Sequence, residues 1–343
     1  MDKLLSIIIP VYNVEKYINK CLDSLLVPQD QLNKLDIVII NDGTPDRSAD
    51  IAREYERTYP GIFRVIDQEN RGHGGAWNHG TELAIGKYLY YLDSDDWFDK
   101  QQFCALITFL QSCDTDLVLM DRTKYFAADG REKYVELHNM EPGKIYNANS
   151  YDWLHSGNGA NITYAHSTVY KTKMMQQYLP IFCEHVMYDD IVLMAMPIMV
   201  AESFVYTKFN VYHYLIGRPG QSFDPTVRAK HADNVTTVLK QVLGFISKHR
   251  SIPPQGSTRK VWTEDLYSSI PTHHYNELSA LRYSIARERL GLWDAYIKEN
   301  YPDIILTPTV RHYRNWPFPV YYCWFKGMSF LKKTQRFIKR HLK

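Results

Sequence analysis

The sequence lacks several features that would place the protein in other classes. The longest apolar run after the amino terminus, Ile191 to Ala201, falls short of the about 20 residues of a membrane span and contains Pro197. The apolar start LLSIIIPVY follows Asp2 and Lys3 and has no small-residue cleavage site, so it indicates a strand rather than a signal peptide. The five cysteines are scattered without a Cys-x-x-Cys pair, which indicates reduced thiols in a cytoplasmic protein.

Acidic residues are also missing from the end of the chain. The stretch from Ile304 to Lys343 has no Asp or Glu, although the whole protein has 38. Because the formal net charge is only +2, the part before this stretch is net negative. The basic residues of the stretch are Arg311, Arg314, Lys326, Lys332, Lys333, Arg336, Lys339, Arg340 and Lys343.

A group of acidic residues follows an aromatic run in the segment KYLYYLDSDDW, residues 87–97. The run predicts a buried strand, and Asp93, Asp95 and Asp96 then lie at the end of it, where open α/β sheets bind ligands. Neighbouring carboxylates repel one another unless a cation lies between them, and oxygen ligands suit Mg²⁺ or Mn²⁺. The alternative is that Asp95 or Asp96 caps a helix from Trp97 to Leu110.

Strands and helices alternate over about the first hundred residues. Buried strands are predicted at Ser6 to Val11, Leu35 to Ile40 and Phe63 to Asp67, and the aromatic run is the fourth. Helical spacing separates them. This alternation predicts an α/β fold with a doubly wound, mostly parallel sheet flanked by helices.

Two strand ends suit a nucleotide. Asp42 follows the second strand and can accept hydrogen bonds from a base or ribose. The glycine-rich stretch Arg71 to Gly75 follows the third strand, and we expect a loop whose amides can approach a diphosphate closely. It lacks the order of a P-loop, so its glycines are equally explained as turn residues.

Three segments carry a resemblance to a known family. SIIIPVYNVEKYINKCLDSLL, VIINDGTPDRSADIA and ENRGHGGAWNHGTELAIGKYLYYLDSDDW resemble, in order and spacing, the amino-terminal half of the family 2 glycosyltransferases. These are inverting sugar transferases with a GT-A-type fold. The match covers roughly residues 4–110, and several separate motifs agree.

The resemblance implies a nucleoside diphosphate sugar as donor, with uridine diphosphate as the first choice. The later segment VYHYLIGRPGQSF, residues 211–223, resembles the family segment that closes over the donor, although a strand end followed by a Pro-Gly turn also explains it. The residues implied for donor binding are Pro10, Tyr12, Glu15, Asp42, Asn70, Gly72, Asn78, Asp93, Arg218, Gln221 and Ser222.

The resemblance also implies a divalent metal, Mn²⁺ or Mg²⁺. Asp95 is the first choice as ligand, and Asp93 faces the ribose, a metal-bound water or the metal. The chain departs from the family at Trp77, where members often have Arg. Another cation must then act for the donor, and the nearby candidates are Arg71, His73 and His79.

An inverting transferase needs a carboxylate that takes the proton of the acceptor hydroxyl. In the family this is the Asp of a Glu-Asp pair at the start of an apolar helix, and here the pair is Asp189 and Asp190. Asp190 matches the base, and Asp189 is the alternative. As purely structural residues, both would favour the first turn of a helix, and Glu184 fits a structural acidic position.

The chain is divided by its patterns into a GT-A catalytic domain, 1–225, and a helical region, 226–343. Within the first, 1–112 is expected to bind the nucleotide sugar and 113–225 the acceptor. His155, Asn161, Tyr164 and His166 are the acceptor-side candidates and are not ranked.

The carboxyl-terminal tail is aromatic and basic. Phe325, Met328, Leu331, Ile338 and Leu342 share one helical face, with Lys and Arg around the rest, which suits a helix lying on an anionic membrane surface. Alternatives are a packing helix and a nucleic-acid patch; we expect no nucleic-acid partner. The expected location is the inner face of the cell membrane.

The sequence therefore predicts a metal-dependent inverting transferase that acts on a hydroxyl of a lipid-linked or polysaccharide acceptor. A sugar-phosphate nucleotidyltransferase is a rival, but it should carry a basic glycine-rich loop after the first strand, where this chain has PVYN. A non-catalytic nucleotide-sugar or membrane adaptor of the same fold is the second rival. Self-association is left open.

Overall fold

A computed structural model describes residues 2–157, 162–218, 221, 231–304 and 308–341. The chain divides into two compact units, Met1–Trp262 and Thr263–Lys343. The predicted boundary at residue 225 lies inside the first unit, because a helix after it contacts residues 181–183. In that contact, Gln241 Nε2 donates to the Ile181 carbonyl at 2.9 Å.

One sheet of ten strands forms in the described residues of the first unit. The strands are β1 (Leu5–Val11), β2 (Leu35–Asn41), β3 (Phe63–Asp67), β4 (Tyr88–Tyr91), β5 (Trp97–Phe98), β6 (Leu117–Phe126), β7 (Glu132–Val135), β8 (Ile145–Asn147), β9 (Thr168–Lys171) and β10 (Ser203–Ile216).

The first four strands are parallel, and the rest of the sheet is mixed. The main strand order is β3-β2-β1-β4-β9-β6-β10-β5, with β7 paired to β6 and β8 to β10. β9 runs antiparallel between β4 and β6, whereas β10 is parallel to β6. The α/β fold predicted from the sequence is confirmed, with parallel order in its amino-terminal half and mixed order beyond it.

Helices flank the sheet, and the second unit is helical, as predicted. None of the described helices is both long enough and apolar enough to cross a membrane. The helices are α1 (Ile18–Asp23), α2 (Gln29–Leu32), α3 (Ser48–Thr58), α4 (Gly72–Leu83), α5 (Lys100–Leu110), α6 (Thr172–Gln176), α7 (Met196–Val200), α8 (Ala232–His249), α9 (Thr258–Ser279), α10 (Tyr283–Asn300), α11 (Pro308–Asn315) and α12 (Phe318–His341), with 3₁₀ helices at Ala165–Ser167 and Asp189–Met194.

The central strands are apolar at successive positions because both faces of the sheet are covered. Ile7 and Ile9 point into the larger core with Ile18 of α1 and Phe103 of α5. Ile8 points to the other face, where α4 passes so closely that a Cβ on Gly80 would lie 2.3 Å from Ile8 Cγ2. Alternation along a strand therefore buries every residue of β1.

Helix α5 begins later than predicted. Trp97 and Phe98 form β5, and Asp99 caps α5 by accepting from the Gln102 amide at 2.8 Å. Neither Asp95 nor Asp96 caps this helix, so the capping alternative for them was wrong. Both are left for other partners.

Candidate functional site

The acidic segment after β4 is held between two histidines. Asp93 Oδ1 accepts from His73 Nε2 at 3.0 Å, and Oδ2 accepts from His166 Nε2 at 3.3 Å. Burial opposes ionisation, but the hydrogen bonds from His166 and His73 lower the pKa of Asp93 below its usual value. Asp93 is therefore an ionised carboxylate with an imidazole on each oxygen.

Asp95 is paired with the loop that follows β10. Arg218 Nε donates to Asp95 Oδ2 in an ion pair, and Gln221 Nε2 lies 3.4 Å from the same oxygen. The predicted metal ligand and the predicted diphosphate cation thus contact each other in this structure. Ser222, predicted beside them, lies outside the described residues.

Asp96 ties β10 to the acidic segment. Its side chain accepts from the Tyr212 hydroxyl and the Leu215 amide, both at 2.7 Å. Burial, with the nearby charges of Asp95 and Asp93, raises the pKa of Asp96 well above its usual value. The Tyr212 hydroxyl also accepts from the Asp93 amide at 3.1 Å. Sequence reasoning missed Tyr212 because only the pairing of β10 brings it to this end of the sheet.

A divalent cation fits this cluster. One ligand atom from each of Asp93, Asp96 and His166 lies within 4.8 Å of the others. Asp95, the ligand predicted first, is outside this set and is paired with Arg218. Two carboxylates with one imidazole are suitable ligands for Mn²⁺, whereas Mg²⁺ prefers oxygen alone.

His73 contacts both the acidic segment and the predicted catalytic pair, Asp189 and Asp190. Its Nδ1 lies 2.9 Å from Asp189 Oδ2 while its Nε2 contacts Asp93. Burial opposes protonation, but Asp189 and Asp93 raise the pKa of His73 well above its usual value, so the ring is an imidazolium. Residues separated by 116 positions in the chain are in this way brought to one site.

The two aspartates of the pair have different surroundings. Asp189 is 4% exposed and bonded to His73, whereas Asp190 is partly exposed. Among the described residues, no other side chain bonds or pairs with the Asp190 carboxyl. Burial and the charge of Asp189 raise the pKa of Asp190 to about 7, although His73 opposes the shift.

The glycine-rich stretch is not the loop that the sequence predicts. Gly72 to Gly75 form the first turn of α4, so the loop prediction was wrong. This turn packs against residues 182–185: a Cβ on Gly74 would lie 2.2 Å from the Cys183 carbonyl oxygen and 2.7 Å from Asp189 Oδ2. Gly74 therefore permits the close approach that brings Asp189 to His73.

Asp42 and Asn70 are hydrogen-bonded around the turn that leads into α4. Asp42 Oδ1 accepts from Gln68 Nε2 and from the Arg71 amide, both at 2.7 Å. Asn70 Nδ2 donates to the Asp42 carbonyl at 2.9 Å. These bonds fix the turn between β3 and α4 next to the end of β2.

Three further residues predicted to bind the donor lie on β1 or soon after it. Pro10 is a buried residue of β1 paired with Ile40, and Tyr12 is 51% exposed just beyond the strand. The Glu15 amide donates to Asp46 Oδ2 at 2.9 Å, and its carboxylate accepts from the Arg47 amide at 3.3 Å. No contact between these three residues and Asp93 is found in the described part of the chain.

Comparison with known proteins identifies the family. The sequence profile of "Glycosyl transferase family 2" matches residues 6–179, which is just over half of the chain. This chain belongs to glycosyl transferase family 2. This is a family of glycosyltransferases, so the sugar-phosphate nucleotidyltransferase considered from the sequence is set aside.

Named relatives are similar over part of their length. "Putative glycosyltransferase EpsH" of Bacillus subtilis is 30% identical over 219 residues, which are 62% of this chain and 60% of the relative. "Uncharacterized glycosyltransferase EpsJ" of the same organism is 42% identical over 118 residues, 34% and 33% of the two chains. "Minor teichoic acid biosynthesis protein GgaB" of B. subtilis is 29% identical over 134 residues, 39% of this chain and 15% of the relative.

Solved structures agree on the fold. Staphylococcus aureus TarS 1-349 in complex with UDP-GlcNAc matches with a TM-score of 0.71 at 16% identity, over 95% of this chain and 91% of that chain. The same protein in complex with UDP matches with a TM-score of 0.60 at 16% identity, over 91% of both chains. At this identity the likeness establishes the GT-A fold of the transferase.

Asn78 of the transferase has a structural role. Its Oδ1 accepts from the Ile181 and Phe182 amides at 2.8 and 3.0 Å, and its Nδ2 donates to the Phe182 carbonyl at 2.8 Å. The side chain is 5% exposed. Its amide holds the segment before Asp189, and donor binding by Asn78 stays a prediction.

Trp77 stands where the resemblance implies an arginine, and its ring packs against two other aromatic side chains. It is 1% exposed, and its ring lies 4.1 Å from His73 and 4.5 Å from Tyr91. Of the three cations considered for the missing arginine, Arg71 pairs with Glu184 and His79 contacts Gln68. His73 is the one that reaches Asp93.

The acceptor-side candidates separate into two groups. Tyr164 and His166 lie at the site, with ring centroids 4.9 Å apart. His166 also packs on Tyr214 at 4.4 Å. His155 is exposed and bonded to Asp152 at 3.1 Å, and Asn161 lies outside the described residues.

Proposed function

We propose that this glycosyltransferase moves a sugar from a nucleoside diphosphate, uridine diphosphate first, to a hydroxyl of a lipid-linked or polysaccharide acceptor. The transfer is a single inverting displacement assisted by Mn²⁺ or Mg²⁺. The observation that carries this proposal is the contact of His73 with both Asp93 and Asp189. Through this contact the acidic motif and the predicted catalytic aspartates lie at one site.

Asp190 takes the proton of the acceptor hydroxyl. It is the carboxyl of the pair that no neighbouring side chain occupies within the described residues, and its pKa of about 7 allows it to accept a proton near neutral pH. Asp189 acts through His73, which it keeps charged and oriented. Proton removal by a positioned base contributes about 10² to 10⁴-fold to a rate.

Asp93, Asp96 and His166 are the residues that would hold a divalent cation, with Asp95 next to them in the chain. When bound, it stabilises the negative charge of the departing diphosphate. Arg218 leaves Asp95 for the diphosphate when the donor binds, because a phosphate offers its guanidinium two oxygens. Asp95 would then be available as a further ligand, and Gln221 and Ser222 would bond the phosphate oxygens.

The donor lies along residues 1–112 and the acceptor along residues 113–225. The residues that border the nucleotide are Pro10, Tyr12 and Glu15. The nucleobase lies beside Asp42 and Asn70. The Gly72 amide at the start of α4 favours an anion such as the diphosphate. The uridine choice takes its support from TarS, whose solved complexes contain UDP-GlcNAc and UDP.

The basic tail brings the transferase to the inner surface of the cell membrane. On α12, Val320 is 55% and Met328 40% exposed, beside the row of basic residues that ends the chain. Cationic residues add about 1 kcal/mol each to attraction by anionic lipids. A polymer acceptor is supported by the name of GgaB, a teichoic acid biosynthesis protein.

The test is donor binding measured by thermal shift. UDP, GDP, TDP and CMP are compared with and without Mn²⁺ on the wild type, Asp95→Asn and Asp93→Asn, with the exposed Asp152→Asn as control. We expect one diphosphate to raise the melting temperature in a Mn²⁺-dependent way, because binding stabilises the native state. The shift should be lost in both motif variants and kept in the control.

A shift for no nucleotide, with the wild type folded, would overturn the donor assignment. A shift that is the same with and without Mn²⁺ would remove the metal from the mechanism. An α-linked product from an α-linked donor would contradict inversion.

A further inference from the structure

Arg122 of β6 is a buried cation for which the described residues provide no ion pair. It is 3% exposed, and its side chain makes one hydrogen bond in the described residues, from Nη1 to Ser167 Oγ at 3.2 Å. Its Nε is buried without a partner. Arg64 of β3, by contrast, forms an ion pair with Asp36 at 2.8 Å.

The carboxylate next to it in the chain, Asp121, forms no ion pair with Arg122 within the described residues. Asp121 is held by the Tyr206 hydroxyl at 2.9 Å and by the Leu137 amide at 3.0 Å. Successive strand residues point to opposite faces, so Asp121 and Arg122 face apart. Burial lowers the pKa of Arg122 below its usual value, although nearby tyrosines and the charge of Asp121 oppose the shift.

Arg122 lies close to the reaction site. It is paired in register with Tyr212, whose hydroxyl contacts Asp96. Its guanidinium lies 4.5 Å from the centre of the Tyr164 ring, and Tyr164 packs against His166, the partner of Asp93. Tyr164 and His166 therefore connect the guanidinium of Arg122 to the acidic motif, and both belong to the residues expected to bind the acceptor.

A second cation continues the same face of the strand. Lys124 follows two residues later and is paired in register with Tyr214. No ion pair is found for Lys124 among the described residues, and burial together with Arg122 lowers its pKa. Lys133 of β7 lies opposite Lys124 in the sheet. The positive charge thus extends from Arg122 toward the edge of the site.

We propose that Arg122 binds an oxyanion, a carboxylate or a phosphate, carried by one of the sugar substrates, with Ser167 beside it and Lys124 as the outer cation. A guanidinium binds either group through two parallel hydrogen bonds, and the substrate supplies the charge that the free protein lacks. This rests on the proposed function, because it takes the Asp93 and Asp190 cluster as the place of transfer. The oxyanion belongs either to the donor sugar or to the acceptor.

Calorimetry on the full chain with Mn²⁺ tests whether the donor sugar carries the oxyanion. Affinities for UDP, UDP-glucose and UDP-glucuronic acid are measured on the wild type, on Arg122→Gln and on Arg131→Gln, which removes an exposed arginine. If the donor sugar carries the oxyanion, the wild type and the control prefer UDP-glucuronic acid over UDP-glucose by about tenfold, as one charge-assisted hydrogen bond implies. Arg122→Gln loses this preference while its affinity for UDP is unchanged.

The acceptor source is tested with the UDP and Mn²⁺ sites saturated. Glycerol 3-phosphate is then titrated against glycerol on the same three proteins. If the acceptor carries the oxyanion, the phosphate binds to the wild type and the control, and binding to Arg122→Gln is weaker by about tenfold or more. Lys124→Gln should weaken it by less.

Stability separates this role from a structural one. Replacement of an unpaired buried charge by an apolar side chain of similar length is neutral or stabilising, so Arg122→Met should melt at or above the wild-type temperature. If UDP binds but neither oxyanion probe depends on Arg122, the proposal is overturned and the proposed function stands. If UDP does not bind to the wild type, the proposed function itself is contradicted, and the Arg122 proposal that rests on it falls with it.

Discussion

At the scale of single residues, Asp189 and Asp190 show how surroundings divide the roles of two identical side chains. Asp189 is buried against His73, whereas Asp190 is partly exposed. Because burial and the charge of Asp189 raise the pKa of Asp190 to about 7, its proton affinity suits a general base at neutral pH.

The rate should depend on pH through Asp190. The ionised form accepts the proton, so kcat/KM is expected to fall about tenfold per pH unit below a midpoint near the pKa of about 7, and to level off above it. A bound cation adds positive charge and moves this midpoint down. Initial rates between pH 5 and 9 check it; a flat profile on the acid side would contradict the assignment.

Substitution should separate the two aspartates. Asp190→Asn is expected to lower kcat by about 10² to 10⁴-fold and to remove the acid limb, with donor affinity kept. Asp189→Asn leaves the base in place but removes the partner of His73, so the acid limb should persist at a lower rate. Near wild-type turnover by Asp190→Asn would refute its role.

At the scale of elements, the close contact of α4 with residues 181–185 determines where Asp189 and Asp190 lie. Glycine at the start of the helix removes the side chain that would keep the two apart, and Asn78 in the next turn bonds the backbone of residues 181 and 182. The segment then enters the 3₁₀ helix through Tyr188, which has a φ of 69°.

Gly74→Ala should destabilise the transferase. The new Cβ would collide with the Cys183 carbonyl, and overpacking of this kind costs about 1 to 3 kcal/mol. Gly291→Ala in α10 is the matched control, since nothing lies within 4 Å of its Cβ and alanine favours a helix by about 1 kcal/mol. Thermal melting should move down for the first and not down for the second.

Asn78→Ala tests the structural role given to this residue. Loss of three hydrogen bonds to backbone, at about 0.5 to 1.5 kcal/mol each, should lower stability by about 2 kcal/mol or more. UDP affinity at a temperature where the variant is folded should stay within about twofold. A large loss of UDP affinity without a loss of stability would instead support donor binding by Asn78.

At the scale of the whole molecule, charge is separated along the chain. All 38 acidic residues precede Ile304, and nine basic ones follow it. The proposed membrane binding follows from this separation, because an anionic surface attracts a cationic end.

Removal of residues 326–343 should therefore release the transferase from anionic membranes. Sedimentation with phosphatidylserine-containing vesicles checks this, with neutral vesicles and added salt as controls, since screening weakens charge attraction. A variant with Lys332, Lys333, Arg336 and Lys339 changed to Gln keeps the chain length and should also lose binding. Equal sedimentation of the truncated and full chains would exclude the tail as the anchor.

The sequence by itself determined the strands, their parallel start, the acidic motif at a strand end and the second acidic pair, because local periodicity and strand-end chemistry are written in neighbouring residues. Tertiary structure alone decided which groups meet. His73 and Asp189 are 116 positions apart, and no spacing rule predicts their contact. The same holds for Tyr212 on Asp96, for Arg218 on Asp95 and for the glycines of α4, whose meaning depends on the segment packed against them. Long-range packing sets these contacts, and with them the direction in which the pKa values of Asp93, Asp96 and Asp190 are shifted.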